Sequence, residues 1–394
     1  MTDIVTIVGG CGHVGLPLAI ALADAGLNVR ALDIDAQKVK TVNAGILPFA
    51  EENAGEKLSR VVKDQKLIAT TERSSVAQSS IVIIVVGTPV DEFLNPIPED
   101  IVKAFEDLKQ YFQKGQLVIL RSTVFPGVTK RVENWFAENA PEVDIAFCPE
   151  RIAEGKAMTE LYSLPQIVGA RSESGRTRAG NLFSQLTRKV IYTTPEEAEL
   201  AKLFTNVWRY IKFAAVNQFF MMANDYNVDF ENVRQAITED YPRAFDMPSA
   251  GFAAGPCLFK DTMQLGAFSN NTFALGHAAM LINEGLPLYL VNRISESYDI
   301  ENLTVGILGT AFKPDVDDPR ASLSYKLRKL LAFKCKSVLI TDPYVDDSRL
   351  TDLETVLNES DLLIMATPHS VYRNLKFSKP VVDIWNTAGA GVLI

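Results

Sequence analysis

Ile4-Val5-Thr6-Ile7-Val8-Gly9-Gly10-Cys11-Gly12-His13-Val14-Gly15 decides how the chain begins to fold. A β-branched apolar run meets a cluster of glycines, an apolar-periodic stretch continues to Ala25, and a second apolar run, Val29 to Leu32, ends in Asp33. That order reads as strand, turn, helix, strand. Gly10 permits the tight turn, Gly12 lets the backbone approach a pyrophosphate, and Gly15 allows close helix-to-strand packing, with the helix N-terminus at Val14 facing the phosphates. Asp33 lies about 20 residues on, where a carboxylate accepts hydrogen bonds from an adenosine ribose and repels a 2′-phosphate, which favours NAD over NADP. Lys38, one helical turn further, is a candidate ribose contact, against the commoner reading of a solvated lysine.

Outward from this unit, strand-like runs at Ile81–Val86, Gln116–Leu120 and Asp144–Phe147 alternate with helical stretches such as Asp100–Phe112 and Val128–Glu138. This is the signature of a parallel sheet covered by helices on both faces. Thr194-Pro195-Glu196-Glu197 combines an N-cap, a first-turn proline and a capping-box glutamate, so a long helix is predicted from there towards Tyr226. Helical sequence continues to about Ser297. Leu303–Leu308, Ser337–Thr341, Asp361–Ala366 and Pro380–Asp383 then restore the strand pattern, and Val305-Gly306-Ile307-Leu308-Gly309 echoes the opening without its third glycine. The expectation is an α/β protein with two Rossmann-like, doubly wound parallel-sheet domains, 1–193 and 299–394, joined by a central long-helix region, 194–298.

With 394 residues and 47% hydrophobic content, the chain can build two or three packed domains. A formal charge of -9, without long runs of either sign, argues against nucleic acid or an anionic membrane as partner. The four cysteines form no CxxC pair and the three histidines are scattered, so no metal site is expected. Reduced thiols and no export or anchoring segment are the expectation, hence a cytoplasmic protein.

Candidate chemistry gathers at the ends of the expected strands, where open α/β sheets bind their ligands: Gly87-Thr88-Pro89, Arg121-Ser122-Thr123 and Cys148-Pro149-Glu150-Arg151. Thr123 reads equally as a helix cap and Glu150 as half of an ion pair. Lys202 and Asn206, four apart on the long helix, project from one face, and a cation beside an amide donor can stabilise a developing oxyanion. Their apolar neighbours Leu200, Leu203, Phe204 and Val207 argue that this face is not simply solvated. Cys257 follows a Gly/Pro/Ala-rich loop and precedes Lys260 and Asp261, a setting that can activate a thiol, although a cysteine is more often a small core residue. Oxidation of an aldehyde to an acid is easiest when a thiolate first turns it into a hydride donor.

Together these segments resemble the nucleotide-sugar 6-dehydrogenases, the family of UDP-glucose and UDP-N-acetylhexosamine dehydrogenases. The resemblance covers the glycine loop, Gly87-Thr88-Pro89, Ser122-Thr123, Cys148 to Gly155, Glu199 to Asn206, the cysteine segment Gly255 to Asp261, and Gly309 to Arg320. It implies an N-terminal NAD domain, a central dimerisation region giving a homodimer or dimer of dimers, and a C-terminal domain that holds the UDP of a UDP-sugar. By the same resemblance Cys257 attacks an aldehyde, and a thiohemiacetal and thioester follow, with two NADH released per sugar. Lys202 and Asn206 would stabilise oxyanions, and Glu150, Thr123 and Asp261 would position or deprotonate alcohol and water. Thr88, Pro89, Thr123, Glu154, Lys260 and Arg320 would touch the cofactor. Glu150, Arg151, Glu154, Lys202, Asn206, Lys313 and Arg243 would bind substrate, Arg243 across a dimer interface.

Two departures bear on the sugar. Leu323 replaces a proline common after the Arg-x-Ser motif, and Gly-Pro precedes Cys257 where acetamido-sugar enzymes often have Gly-His. Asp91 to Pro96, Cys148 to Arg151 and Asp315 to Asp318 resemble the acetamido-sugar branch more than the glucose branch. Two rivals stay open: a two-electron hydroxyacid-type dehydrogenase, which leaves Cys257 unexplained, and an inactive cofactor-binding regulatory protein.

Overall fold

The computed structural model describes residues 4–87, 91, 99–139 and 142–394. The chain divides into two compact units, Met1–Phe204 and Thr205–Ile394. In the first unit, strands β1 (Ile4–Val8), β2 (Asn28–Leu32), β3 (Leu67–Thr70), β4 (Ile81–Ile84), β5 (Leu117–Leu120), β6 (Asp144–Phe147), β7 (Gln166–Ala170) and β8 (Val190–Thr193) form one sheet. Its order is β3-β2-β1-β4-β5-β6-β7-β8. The order reverses direction between β1 and β4, the switch point at which open sheets of this kind bind ligands.

The sheet departs from the all-parallel expectation at one place. β6 and β7 pair antiparallel, Ala146 opposite Ala170, whereas the other neighbours are parallel. The chain leaving β6 passes through a loop and the two-turn helix Ala157–Ser163 without crossing the sheet, and so re-enters from the end at which it left. β3, β7 and β8, four or five residues each, escaped the sequence reading.

Both sheet faces are apolar because the strands alternate within fully buried runs such as Ile81–Ile84 and Leu117–Leu120. Val5, Ile7, Ile83 and Ile119 pack under the helix Gly15–Asp24 on one face, and Val82, Ile84, Val118 and Leu120 meet Phe105, Trp135 and Phe136 on the other. Each such side chain contributes roughly 1.5–3 kcal/mol on leaving water.

The long helix spans Pro195–Asp225, within a residue of its predicted end. Its capping box is formed: Thr194 N–H donates to Glu197 Oε2 at 2.8 Å and Glu197 N–H to Thr194 Oγ1 at 3.3 Å. The second unit continues with helices Phe230–Thr238, Leu258–Phe268 and Ala274–Ser297, then a four-stranded sheet. Its strands β9 (Thr304–Leu308), β10 (Ser337–Thr341), β11 (Leu362–Met365) and β12 (Val381–Val382) are ordered β10-β9-β11-β12 and all parallel. Phe220, Phe230, Leu286, Leu290 and Ile294 share one core with Val305, Ile307, Leu327 and Ile364, so the helices and the small sheet of this unit pack as one body. Among the described residues no helix is long and apolar enough to cross a membrane.

Candidate active site

In the first unit the tight left-handed turn after β1 falls on Gly9, at φ 76, rather than on Gly10; a Cβ there would lie 1.9 Å from Val85 O. Gly10 instead serves close packing on β2, since a Cβ would meet Ala31 Cα at 2.6 Å. Gly15 packs against the loop itself, 2.2 Å from Gly9 O to a hypothetical Cβ. Gly12 is different: within 4 Å its Cβ direction meets only Gly9 O, at 3.7 Å, which leaves the backbone open to a ligand. The helix Gly15–Asp24 begins at Val14 with no side-chain cap, Leu16 N–H donates to Gly12 O at 2.9 Å, and Pro17 carries no N–H in the first turn. Asp33 closes the cradle, its Oδ2 accepting from Cys11 N–H at 3.0 Å and its Oδ1 from Asp35 N–H at 3.1 Å. A cavity of about 420 Å³ opens beside Gly9, Leu32, Asp33, Ile34, Val86 and Gly87. This donor set and shape fit an adenine dinucleotide.

Lys38 pairs with Asp35 at 4.0 Å, a solvent-side contact within one helical turn. Thr88 and Pro89 lie outside the described residues. Glu154 reaches the glycine loop directly, its Oε1 lying 3.2 Å from His13 Nδ1, while the His13 ring packs at 4.1 Å on Phe49. His13 gave no signal in the sequence beyond its place inside the loop.

The ends of β5 and β6 carry a buried ion pair. Arg121, wholly buried, donates to Glu150 Oε2, to Gln166 Oε1 at 3.0 Å and to Cys148 O at 3.1 Å. Glu150 Oε1 accepts from Arg151 N–H at 2.6 Å and Ile152 N–H at 2.9 Å. Both carboxylate oxygens are therefore engaged, which suits Glu150 to shaping the 148–152 loop better than to taking a proton. A charge at the end of Leu117-Val118-Ile119-Leu120 was the available clue to Arg121. Thr123, half-buried, lies between two tethered points: Ser122 Oγ donates to Val86 O at 2.6 Å, and Glu199 accepts from Gly127 N–H at 2.6 Å and Thr129 N–H at 2.7 Å.

In the second unit Cys257 is the N-cap of the helix Leu258–Phe268 and is exposed. A helix N-terminus favours the thiolate over the thiol. The other cysteines differ: burial pushes Cys11 and Cys148 up to about 12 and raises Cys335 as well. One turn below Cys257 lies Asp261, wholly buried, whose N–H donates to Cys257 O at 2.9 Å. Asn206 Nδ2 donates to Asp261 Oδ2 at 2.6 Å, and Lys260 Nζ lies 2.9 Å from Asp261 Oδ1. Asn206 is 4% exposed and Lys202, four residues before it on the same helix, is 8% exposed. The helix is buried at Lys202 and Asn206, although Phe204, one of the apolar neighbours taken to indicate burial, is exposed.

The loop that delivers Cys257 is held at two points the sequence did not reveal. Asn217 brackets Gly251, accepting from its N–H at 2.9 Å and donating to its C=O at 3.0 Å. Gly255, at φ 102, packs so tightly on the Phe312 ring that a Cβ would come within 2.5 Å, and its N–H donates to Ala321 O at 3.3 Å. Phe312 also lies under Lys313, whose Nζ is 5.9 Å from the ring centre. Arg320 forks onto Asp318, with Nε at 2.8 Å and 2.9 Å from the two oxygens. Arg243 stacks on Tyr241 at 4.5 Å and donates to its hydroxyl at 2.7 Å.

Comparison with known proteins agrees with this geometry. Three models of the UDP-glucose/GDP-mannose dehydrogenase family match the chain in order: the NAD binding domain over residues 4–187, the central domain over 196–285 and the UDP binding domain over 306–389. The chain is 29% identical over 383 residues to UDP-N-acetyl-D-mannosamine dehydrogenase of Pyrococcus horikoshii, covering 93% of this chain and 90% of that one. It is 27% identical to the Yersinia pestis protein of the same name, covering 93% and 94%. The solved structure of a UDP-glucose dehydrogenase from Pyrobaculum islandicum superimposes with a TM-score of 0.90 at 26% identity, over 97% of this chain and 94% of the other. This chain belongs to the UDP-glucose/GDP-mannose dehydrogenase family.

Proposed function

We propose that this NAD-dependent UDP-sugar dehydrogenase oxidises the C6 hydroxymethyl group of a UDP-N-acetylhexosamine to the carboxylate, in two successive two-electron steps. The observation that carries the reading is the exposed Cys257 at a helix N-terminus, directly above the buried Asn206–Asp261 pair. NAD, bound on the glycine loop, supplies the hydride acceptor in each step. The chain's own groups do the rest. In the first step C6 loses a hydride and the hydroxyl loses a proton, leaving an aldehyde. The Cys257 thiolate then adds to the aldehyde carbon, and Lys202 and Asn206 stabilise the oxyanion of the thiohemiacetal. Loss of the second hydride gives a thioester, and attack of water breaks the C–S bond, returning the thiol and releasing the uronate. Asp261 orients Asn206 and would serve to move a proton in the thioester stage, while Glu150 holds the 148–152 loop and Thr123 contacts cofactor and substrate.

Residues 1–193 hold NAD, 194–298 supply the dimerisation surface and the nucleophile, and 299–394 hold the UDP. Glu154, Lys260 and Arg320 serve the cofactor, and Arg151, Lys313 and Arg243 the substrate. The exposed Trp208, Phe219, Met222 and Tyr226, spaced along one long helix, support burial in a homodimer. The names of the relatives from P. horikoshii and Y. pestis support the acetamido sugar, and the fit to reduced thiols supports a cytoplasmic site of action. The test is the NADH yield with limiting UDP-glucose, UDP-N-acetylglucosamine and UDP-N-acetylmannosamine in parallel. Two NADH per molecule of an acetamido sugar is the expected result. One NADH per sugar contradicts the four-electron chemistry, and two from UDP-glucose alone contradicts the choice of sugar.

A further inference from the structure

The second sheet repeats the carboxylate of the first and then uses it differently. At the end of β2, Asp33 accepts from Cys11 N–H and Asp35 N–H. At the end of β10, Asp342 does the same: Oδ2 accepts from Ala311 N–H at 2.9 Å and Oδ1 from Tyr344 N–H at 2.9 Å. Asp342 Oδ2 also accepts from Thr310 N–H at 2.6 Å and lies 3.0 Å from Nε2 of His369. The Asp342 side chain is wholly buried, so no oxygen remains for a ribose. A carboxylate that could read a nucleotide is instead turned into an internal anchor.

His369 is wholly buried, and its two ring nitrogens have different partners. Asp315 N–H donates to Nδ1 at 2.9 Å, which requires a lone pair there; the ring proton must then sit on Nε2, where it donates to Asp342. The imidazole is thus fixed as one neutral tautomer. Asp315 adopts a left-handed φ of 58, a conformation that aspartate takes more readily than most non-glycine residues. The return tie is made by the next residue after the histidine, since Ser370 N–H and Oγ both donate to Asp315 Oδ1, at 2.9 and 3.0 Å. The Asp315 carboxylate also faces the ring, its Oδ1 lying 3.8 Å from Nδ1, and the other titratable groups against it are Tyr344 and Tyr372, edge-on at 5.1 and 5.5 Å. Through Asp342 the ring grips residues 310–311, and through Asp315 it grips the other end of the turn that presents Lys313.

We propose that His369 is a positioning residue for UDP recognition, holding the 310–315 turn in its binding conformation through Asp342 and Asp315. The inference rests on the UDP-sugar reading above. The Nε2-protonated ring bridges the Asp315 N–H to Asp342, which it joins alongside the N–H groups of Thr310, Ala311 and Tyr344, and Lys313 is carried on the backbone between these ties.

The test compares His369→Gln, which keeps one acceptor and one donor, with His369→Leu, which keeps neither. UDP and NAD affinities are measured by titration calorimetry on the full-length protein, with KM and kcat for the sugar. His369→Leu is expected to weaken UDP binding and raise the sugar KM by about tenfold or more, consistent with loss of hydrogen bonds to charged groups. NAD affinity and kcat should stay near wild type, and His369→Gln should restore most of the UDP affinity. Wild-type UDP affinity in His369→Leu overturns the inference, whereas failure of the wild-type protein to bind UDP overturns the functional reading instead. Should His369→Leu not fold, the wild-type protein still decides. With three imidazoles in the chain, nitrogen NMR resolves the tautomers, and an Nδ1-protonated or doubly protonated His369 at neutral pH overturns the inference.

Discussion

Asn206 Nδ2 donates to Asp261 Oδ2 at 2.6 Å, joining the long helix to the first turn of the helix that Cys257 caps. Removal of Asn206 therefore has two separable effects. On the proposed mechanism, Asn206→Ala takes away an oxyanion donor, a loss that typically costs about 10²–10³ in kcat. It also strips a partner from a buried carboxylate, at about 1–3 kcal/mol of stability. Steady-state rates and thermal unfolding measured on the same preparation check both, and a stability loss with unchanged kcat would assign Asn206 to architecture alone.

Asp33 makes the cofactor prediction. On the proposed function, Asp33→Ala removes a ribose acceptor and is expected to weaken NAD binding by roughly 1–3 kcal/mol. Because Asp33 also ties down Cys11 and Asp35, the loop should loosen in the same variant. Fluorescence titration with NADH reads the affinity directly, and an unaltered value removes Asp33 from the cofactor site.

The Arg121–Glu150 pair is wholly internal to the first unit, so breaking it leaves a stranded charge. Arg121→Leu is expected to cost about 3–5 kcal/mol, while the double variant with Glu150→Gln recovers part of the loss. Urea unfolding of the three proteins is the measurement. Equal stability of Arg121→Leu and wild type would mean that solvent reaches Glu150.

Asp342 gives a pH signature. Burial alone would raise its pKa, but hydrogen bonds from His369 and from the Thr310 and Tyr344 N–H groups hold it below the usual carboxylate range. A carboxylate lowered in the folded state contributes stability above its unfolded value near 3.8, and that contribution fades as pH falls from about 4 towards 2. The stability gap between wild type and Asp342→Asn should therefore be widest near neutrality and narrow through that window; a constant gap contradicts it.

Much of the frame was legible because it rests on local patterns. The glycine turn, the capping box at Thr194 and the apolar runs of β1, β5 and β10 each declare themselves within a few residues. What stayed hidden depends on partners distant in sequence. Gly9 rather than Gly10 holds the positive φ, and only glycine fits there because Val85 O, just past β4, lies where a Cβ would go, a contact no local reading contains. Arg121 and Glu150 are 29 residues apart and meet only through the strand register, and the reversal at β7 is a property of the connection rather than of the strand. His369 is a lone histidine in the sequence and becomes informative only once Asp315 and Asp342 are seen on either side of it.

The most direct test of the whole account is uronate production by Cys257→Ser with the natural sugar and NAD in excess, followed by mass spectrometry of the product. The sulfur is needed only for the covalent stage, so the account predicts intact NAD binding and no net uronate. Uronate formed by this variant at the wild-type rate would contradict the thioester mechanism outright.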